Sequence, residues 1–191
     1  MSPYGQIIIG IWIVFVVSLY GPLLFNRVPA DRKSRSYVKR SFLVVIFAVV
    51  LAIAISLLFP RILSLRIVPD TAAAGIAGVV LTLAGLGFST WARIVLGKFW
   101  SSMVMIKVGH QLVRTGPYRF VRNPMYTGIL TAWLGAAIAI GVLGGFYVLG
   151  IVIAVIWVKI RSEEELLLGK FGEEYLQYRK DVKAALIPFV V

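Results

Sequence analysis

Uncharged apolar runs long enough to cross a bilayer recur along the chain. A helix needs about 20 apolar residues to cover about 30 Å of hydrocarbon, and runs of that kind occupy Gly5 to Phe25, Ser41 to Phe59 and Thr71 to Ala92. The next run, Met125 to Trp157, is also uncharged; as one helix rising about 1.5 Å per residue it would be roughly 50 Å long, too long for a single crossing. Gly141, Gly144 and Gly145 lie near its middle and supply the backbone freedom for a tight turn, so the run divides into two helices that form a hairpin. The pattern predicts an all-α integral membrane protein with about five transmembrane helices, the fourth and fifth forming that hairpin. Beyond Gly172, Tyr175 and Tyr178 stand one helical turn apart, which predicts a cytosolic C-terminal amphipathic helix. Residues 1–92 then hold three N-terminal spans and residues 93–191 the loop, hairpin and C-terminal segment of a single membrane domain.

Composition agrees with this reading. With 191 residues, 60% of them hydrophobic and 15% charged, and a mean hydropathy of +0.91, one soluble core of this size cannot hide the apolar surface. Twenty Lys and Arg against eight acids give a net charge of +12, a balance that in a soluble domain suggests nucleic acid. Topology explains it better, because cytoplasmic loops retain positive charge during insertion. Five spans with the N-terminus outside and the C-terminus cytosolic put eighteen of the twenty basic residues on the cytosolic side, leaving only Arg61 and Arg66 opposite. No partner nucleic acid is therefore needed. The absence of cysteine excludes disulfides, zinc thiolates and a thiol nucleophile, and a single histidine cannot build a metal cluster. The first apolar run lacks a basic leader and a small-residue cleavage pattern, so it reads as a retained span.

Chemistry concentrates in two stretches, both cytosolic on this topology. From Gly109 to Gly128 the chain packs a Gly-Pro, an Asn-Pro, the lone His110 and three Arg into twenty residues. Each Pro removes a donor and biases the residue before it away from αR. Gly116-Pro117 and Asn123-Pro124 therefore bracket a short structured turn that leaves backbone groups free for a ligand, and Asn123-Pro124 opens the fourth span. The second stretch follows the last span, where Glu163, Glu164, Glu165, Glu173 and Glu174 make up five of the eight acids. Adjacent carboxylates at a membrane exit demand cations, either the nearby Lys159 and Arg161 or a cationic ligand such as an amine or sulfonium.

The pattern Gly116-Pro117-Tyr118-Arg119-x-x-Arg122-x-Pro124-x-Tyr126-x-Gly128, followed by Glu163-Glu164-x-x-Leu167 and Phe171-Gly172-x-x-Tyr175-x-x-Tyr178, resembles the membrane methyltransferase superfamily of isoprenylcysteine carboxyl methyltransferases and phosphatidylethanolamine N-methyltransferases. The resemblance covers roughly residues 93 to 189. It implies S-adenosyl-L-methionine as methyl donor and a membrane lipid or lipidated small molecule as acceptor at the cytosolic face. It also implies a cofactor site built from His110, Leu112, Val113, Gly116, Pro117, Tyr118, Arg122, Asn123, Pro124, Tyr126, Glu163 and Glu164. Glu163 is the expected catalytic carboxylate, with Arg161 supporting the substrate. Gly85-Leu86-Gly87, in the third span, is similar to a Gly-x-Gly cofactor element of the phospholipid branch.

One position departs from the prenylcysteine branch, which has Arg-His-Pro where this chain has Arg122-Asn123-Pro124. Asn cannot titrate near neutral pH, so a proton role there is unavailable, and the expectation leans to a lipid amine as acceptor. A nicotinamide-dependent membrane reductase is the competing enzyme reading, although the chain is short for one. A small transporter or packing subunit calls for ionisable residues inside the spans, and the five predicted spans contain none.

Overall fold

A computed structural model describes residues 3–20, 35–97, 100 and 112–186, and these fold almost wholly as helix. In chain order the helices are α1 (Pro3–Tyr20), α2 (Arg35–Leu58), the single turn α3 (Pro60–Leu63), α4 (Ala72–Leu96), α5 (Pro124–Ile140), α6 (Leu143–Phe171) and α7 (Glu173–Asp181), with a 3₁₀ turn at Gly116–Arg119 ahead of α5. No strand occurs among the described residues, where an isolated bridge joins Arg66 to Val142. By length and composition α4 and α6 are able to cross a membrane, while the apolar stretches Pro3–Ser18, Val45–Leu58 and Pro124–Ile140 are shorter. Large apolar side chains face outward on α1 and α2, among them Val14, Phe47 and Leu57, the last 76% exposed. A surface so apolar is one that lipid, not water, would cover.

The tightest packing joins α4 to α5, and small residues explain it. Gly78, Thr82, Gly85 and Ser89 on α4 meet Gly128, Ala132, Gly135 and Ala139 on α5, two rows with the same four-three-four spacing. A Cβ on Gly85 would lie 2.5 Å from the Gly128 carbonyl oxygen, and one on Gly135 would lie 2.6 Å from that of Gly78. The two backbones are thus in direct contact, the arrangement small residues permit between membrane helices. Thr82 donates its hydroxyl to Gly78 O at 2.8 Å and lies 3.3 Å from Ala132 O across the seam. Gly85 is a packing residue on this evidence, whereas a Cβ on Gly87 would meet nothing within 4 Å. Gly85→Ala should therefore destabilise the bundle by about 1–3 kcal/mol, the usual range for overpacking, and Gly87→Ala should not; unfolding of the two variants in mixed micelles measures the difference.

Around this pair, α1 packs on both helices, with Trp12 against Trp133 at 5.2 Å between ring centroids. Phe15, Leu86, Trp100 and Ala132 form a buried cluster beside it. Helix α2 lies instead against α6. The hairpin turn falls at Gly141, whose φ of 74° is the left-handed conformation glycine adopts freely. Gly144 and Gly145 belong to the first turn of α6, where they admit the Leu63 carbonyl and the Ala137 backbone at close range. The turn is tied down by Ile67 N–H and Val68 N–H, which both donate to Gly141 O, and by Leu143 N–H, which donates to Leu65 O.

Two features carry the opposite end of the bundle. The apolar run ends at Trp157, yet α6 continues unbroken to Phe171; at about 1.5 Å per residue its 29 residues extend roughly 44 Å. Its last 14 residues, nearly four turns, thus project past the apolar segment and hold the Glu run beside the start of α5. At Gly172, where φ is 53°, the chain reverses into α7. There Tyr175, Tyr178 and Val182 are buried against Leu112, Leu167, Leu168 and Phe171.

Candidate active site

The site forms where the segment before α5, the projecting part of α6 and the end of α4 converge. Pro124 occupies the first turn of α5, where its missing N–H is not needed, and this leaves Arg122 and Asn123 in non-helical backbone just ahead of the helix. Tyr126, in that first turn, donates its hydroxyl to Glu163 Oε1 at 2.7 Å. Arg122 Nε donates to Glu164 Oε1 at 2.8 Å, and the two side chains are only 9% and 11% exposed. Two motifs some forty residues apart in the chain thus meet through two charged or polar contacts.

The 3₁₀ turn completes the wall. Gly116 opens it with a φ of 58°, and the position of its absent Cβ lies 3.0 Å from Val95 Cγ2 on α4, so the turn seats against the end of that helix. Pro117 and Tyr118 are buried. Tyr178 on α7 donates its hydroxyl to the Tyr118 carbonyl at 2.8 Å, pinning the turn from the other side. Arg114 Nη2 donates to Glu174 O at 2.6 Å, and its guanidinium lies 5.6 Å from the Tyr178 ring centroid. Burial pushes the phenols of Tyr118, Tyr175 and Tyr178 well above their ordinary range. They therefore remain protonated, and able to donate, throughout the neutral range.

Arg93, in the last turn of α4, joins the site from the third side. Its guanidinium carbon lies 4.4 Å from the Trp100 ring centroid, and one terminal nitrogen donates to Gly97 O at 3.0 Å. Its Nε is buried with no hydrogen-bond partner among the described residues. Arg93 and Glu163 are both close enough for their charges to act on Tyr118. Lys159, one turn before Glu163 on α6, holds its Nζ 5.4 Å from the Tyr126 ring centroid.

Apart from Tyr175 and Tyr178, this arrangement lies within residues 73–174, which match the family model described as Phospholipid methyltransferase, more than half of the chain. The chain belongs to the phospholipid methyltransferase family. It is similar to the protein-S-isoprenylcysteine O-methyltransferase of Saccharomyces cerevisiae, 31% identical over 150 residues that make up 75% of this chain and 61% of that protein. The enzyme of the same name from Schizosaccharomyces pombe is 30% identical over 56% of this chain and 50% of its own length. A bacterial relative, methanethiol S-methyltransferase 1 of Bradyrhizobium diazoefficiens, is 28% identical over 58% of this chain and 43% of that protein. The chain thus spans between half and about three-fifths of the length of the first two relatives.

Within the family region the fold brings together Gly116, Pro117, Tyr118, Arg122, Asn123, Pro124, Tyr126, Glu163 and Glu164. Leu112 is part of the Tyr175–Tyr178 cluster and Val113 is half-buried beside it. Arg161 is exposed and lies over Trp157, 4.8 Å from its ring centroid. His110 lies outside the described residues, as does the first loop up to Ser34. The cation that answers Glu164 is Arg122, not the neighbouring Lys159 or Arg161. Arg122 is also occupied on its other side, since Nη1 donates to the carbonyls of Val182 and Lys183. Arg93 is the residue that sequence reasoning missed: in the sequence it is only the first charge after an apolar run, as any interfacial arginine is.

Proposed function

We propose that this chain is an integral membrane methyltransferase that uses S-adenosylmethionine to methylate a lipid-like acceptor at the cytosolic face. In this reading α1, α2, α4, α5 and α6 all span the bilayer, with the N-terminus outside. The eighteen-to-two division of basic residues supports that orientation. The observation that carries the function is the Tyr126–Glu163 hydrogen bond, which joins the loop and the Glu run of the family region into one site.

The donor set fits the proposed cofactor. S-adenosylmethionine, when bound, supplies an electrophilic methyl group on a cationic sulfonium. Glu163 offers a carboxylate to a cationic ligand, its orientation held by Tyr126, and Tyr118 adds a protonated phenol and an aromatic face. Gly116 and Pro117 bring backbone close to the same point. The chain's part in the reaction is alignment, because an in-line displacement gains chiefly from holding the two reactants in register. Arg93 suits the acceptor, since its buried Nε lacks a partner among the described residues and an anionic group would satisfy it.

Two observations favour a carboxylate acceptor over the lipid amine that Asn123 suggests. One is that unsatisfied guanidinium nitrogen. The other is the set of relatives, two of which are named for O-methyl transfer to isoprenylcysteine. A carboxylate needs no base, being ionised above about pH 5, whereas an amine must lose a proton before it attacks. Calorimetry on the detergent-purified protein should show binding of S-adenosylhomocysteine and none of NADPH. With radiolabelled donor, a farnesyl-cysteine analogue should take up base-labile label at a rate nearly flat from about pH 6 to about pH 9. Base-stable label on lipid headgroups, rising with pH, would instead assign the amine.

A further inference from the structure

We propose that the C-terminal strap, Val182 to Leu186, is a wall of the donor-binding site, and that Asn123 and Thr127 are positioning residues that hold it in place; this rests on the site reading above. The strap leaves α7 and runs back across the start of α5. Every one of its five carbonyls accepts a hydrogen bond from the segment Arg122 to Thr127. Arg122 Nη1 donates to Val182 O and Lys183 O, and Arg122 N–H donates to Ala184 O at 3.0 Å. Asn123 donates to Ala185 O twice, through its backbone N–H and through Nδ2, both at 3.1 Å. The Thr127 hydroxyl donates to Leu186 O. Val182 and Ala184 are buried beneath these bonds.

All the donors sit on the segment Arg122 to Thr127, at the junction of loop and α5, and all the acceptors are backbone oxygens on the strap. Recognition of this kind asks nothing of the strap's own side chains, so the strap carries no motif and lies beyond the matched residues 73–174. It is nevertheless coupled to the site, because the same guanidinium that holds Val182 and Lys183 also holds Glu164. Loosening the strap frees one side of Arg122 and lets the Glu164 carboxylate shift. The amide at position 123 has a purpose here that needs no titration: it supplies a second N–H to one carbonyl.

Thr127→Val keeps the side-chain shape and removes only the hydroxyl. It should raise the KM for S-adenosylmethionine about three- to ten-fold, the scale of one hydrogen bond, with the effect falling on KM and not on kcat. Thr127→Ser should restore the KM. Asn123→Asp, which sets an acceptor against the Ala185 carbonyl, should raise it further. Isothermal binding of S-adenosylhomocysteine should follow the same order. A donor KM unchanged in both Thr127→Val and Asn123→Asp, with only the melting temperature lowered, would overturn the proposal and leave the strap a packing element. Failure of the unaltered protein to bind S-adenosylhomocysteine would overturn the site reading itself, an outcome distinct from normal binding that is insensitive to these variants.

Discussion

Replacing Arg122 by Ala is expected to destabilise the folded protein by about 3–5 kcal/mol, the range for removing one partner of a buried ion pair. The cause is what remains. Glu164, 11% exposed, keeps its charge but loses the cation 2.8 Å away, and the carbonyls of Val182 and Lys183 lose their donor. Arg122→Lys should recover only part of the loss, since a single ammonium cannot serve a carboxylate on one side and two carbonyls on the other as the guanidinium does. Glu164→Gln introduced into the Arg122→Ala protein should regain stability, because a neutral amide does not need the missing cation. Thermal unfolding in detergent, followed by circular dichroism, measures all four proteins; an Arg122→Ala variant as stable as the parent would mean that the pair is not buried.

Glu163→Gln separates binding from folding. Glutamine retains an oxygen that accepts the Tyr126 hydroxyl, so the contact at 2.7 Å survives and stability should change little. The negative charge is lost. If Glu163 faces the cationic donor, affinity for S-adenosylmethionine should fall about 10- to 100-fold, the equivalent of about 1.5–3 kcal/mol for a hydrogen bond to a charged group. S-adenosylhomocysteine has no sulfonium charge and should lose less. Equal losses for the two ligands would assign Glu163 to the amino group that both share, and no loss for either would remove Glu163 from the donor site.

The four apolar runs and the glycines at 141–145 were legible because membrane crossing is a one-dimensional requirement: length and polarity decide it, and both can be read along the chain. The helix start at Pro124 was legible for a similar reason, since the constraint is local. The partner of Glu164 was not. Lys159 and Arg161 are its neighbours in sequence, five and three positions away, yet helical spacing does not decide which cation reaches it once a loop from another helix is brought alongside. Gly85 shows the same limit. A Gly-x-Gly inside a span has one appearance whether it approaches a ligand or another backbone, and only the position of α5 distinguishes the two.

By itself, then, the sequence determined the helical runs and the two motifs that the fold brings together, because each depends on composition or short-range spacing. Only the tertiary structure decided that Arg122 faces Glu164, that Tyr126 meets Glu163, and that the strap from Val182 to Leu186 is hydrogen-bonded to the segment Arg122 to Thr127. Those contacts join residues 37 to 62 positions apart through hydrogen bonds, and many of the acceptors are backbone carbonyls. A backbone carbonyl is the same in every residue, so nothing in the letters of the strap marks it as a partner until the chain has folded back upon itself.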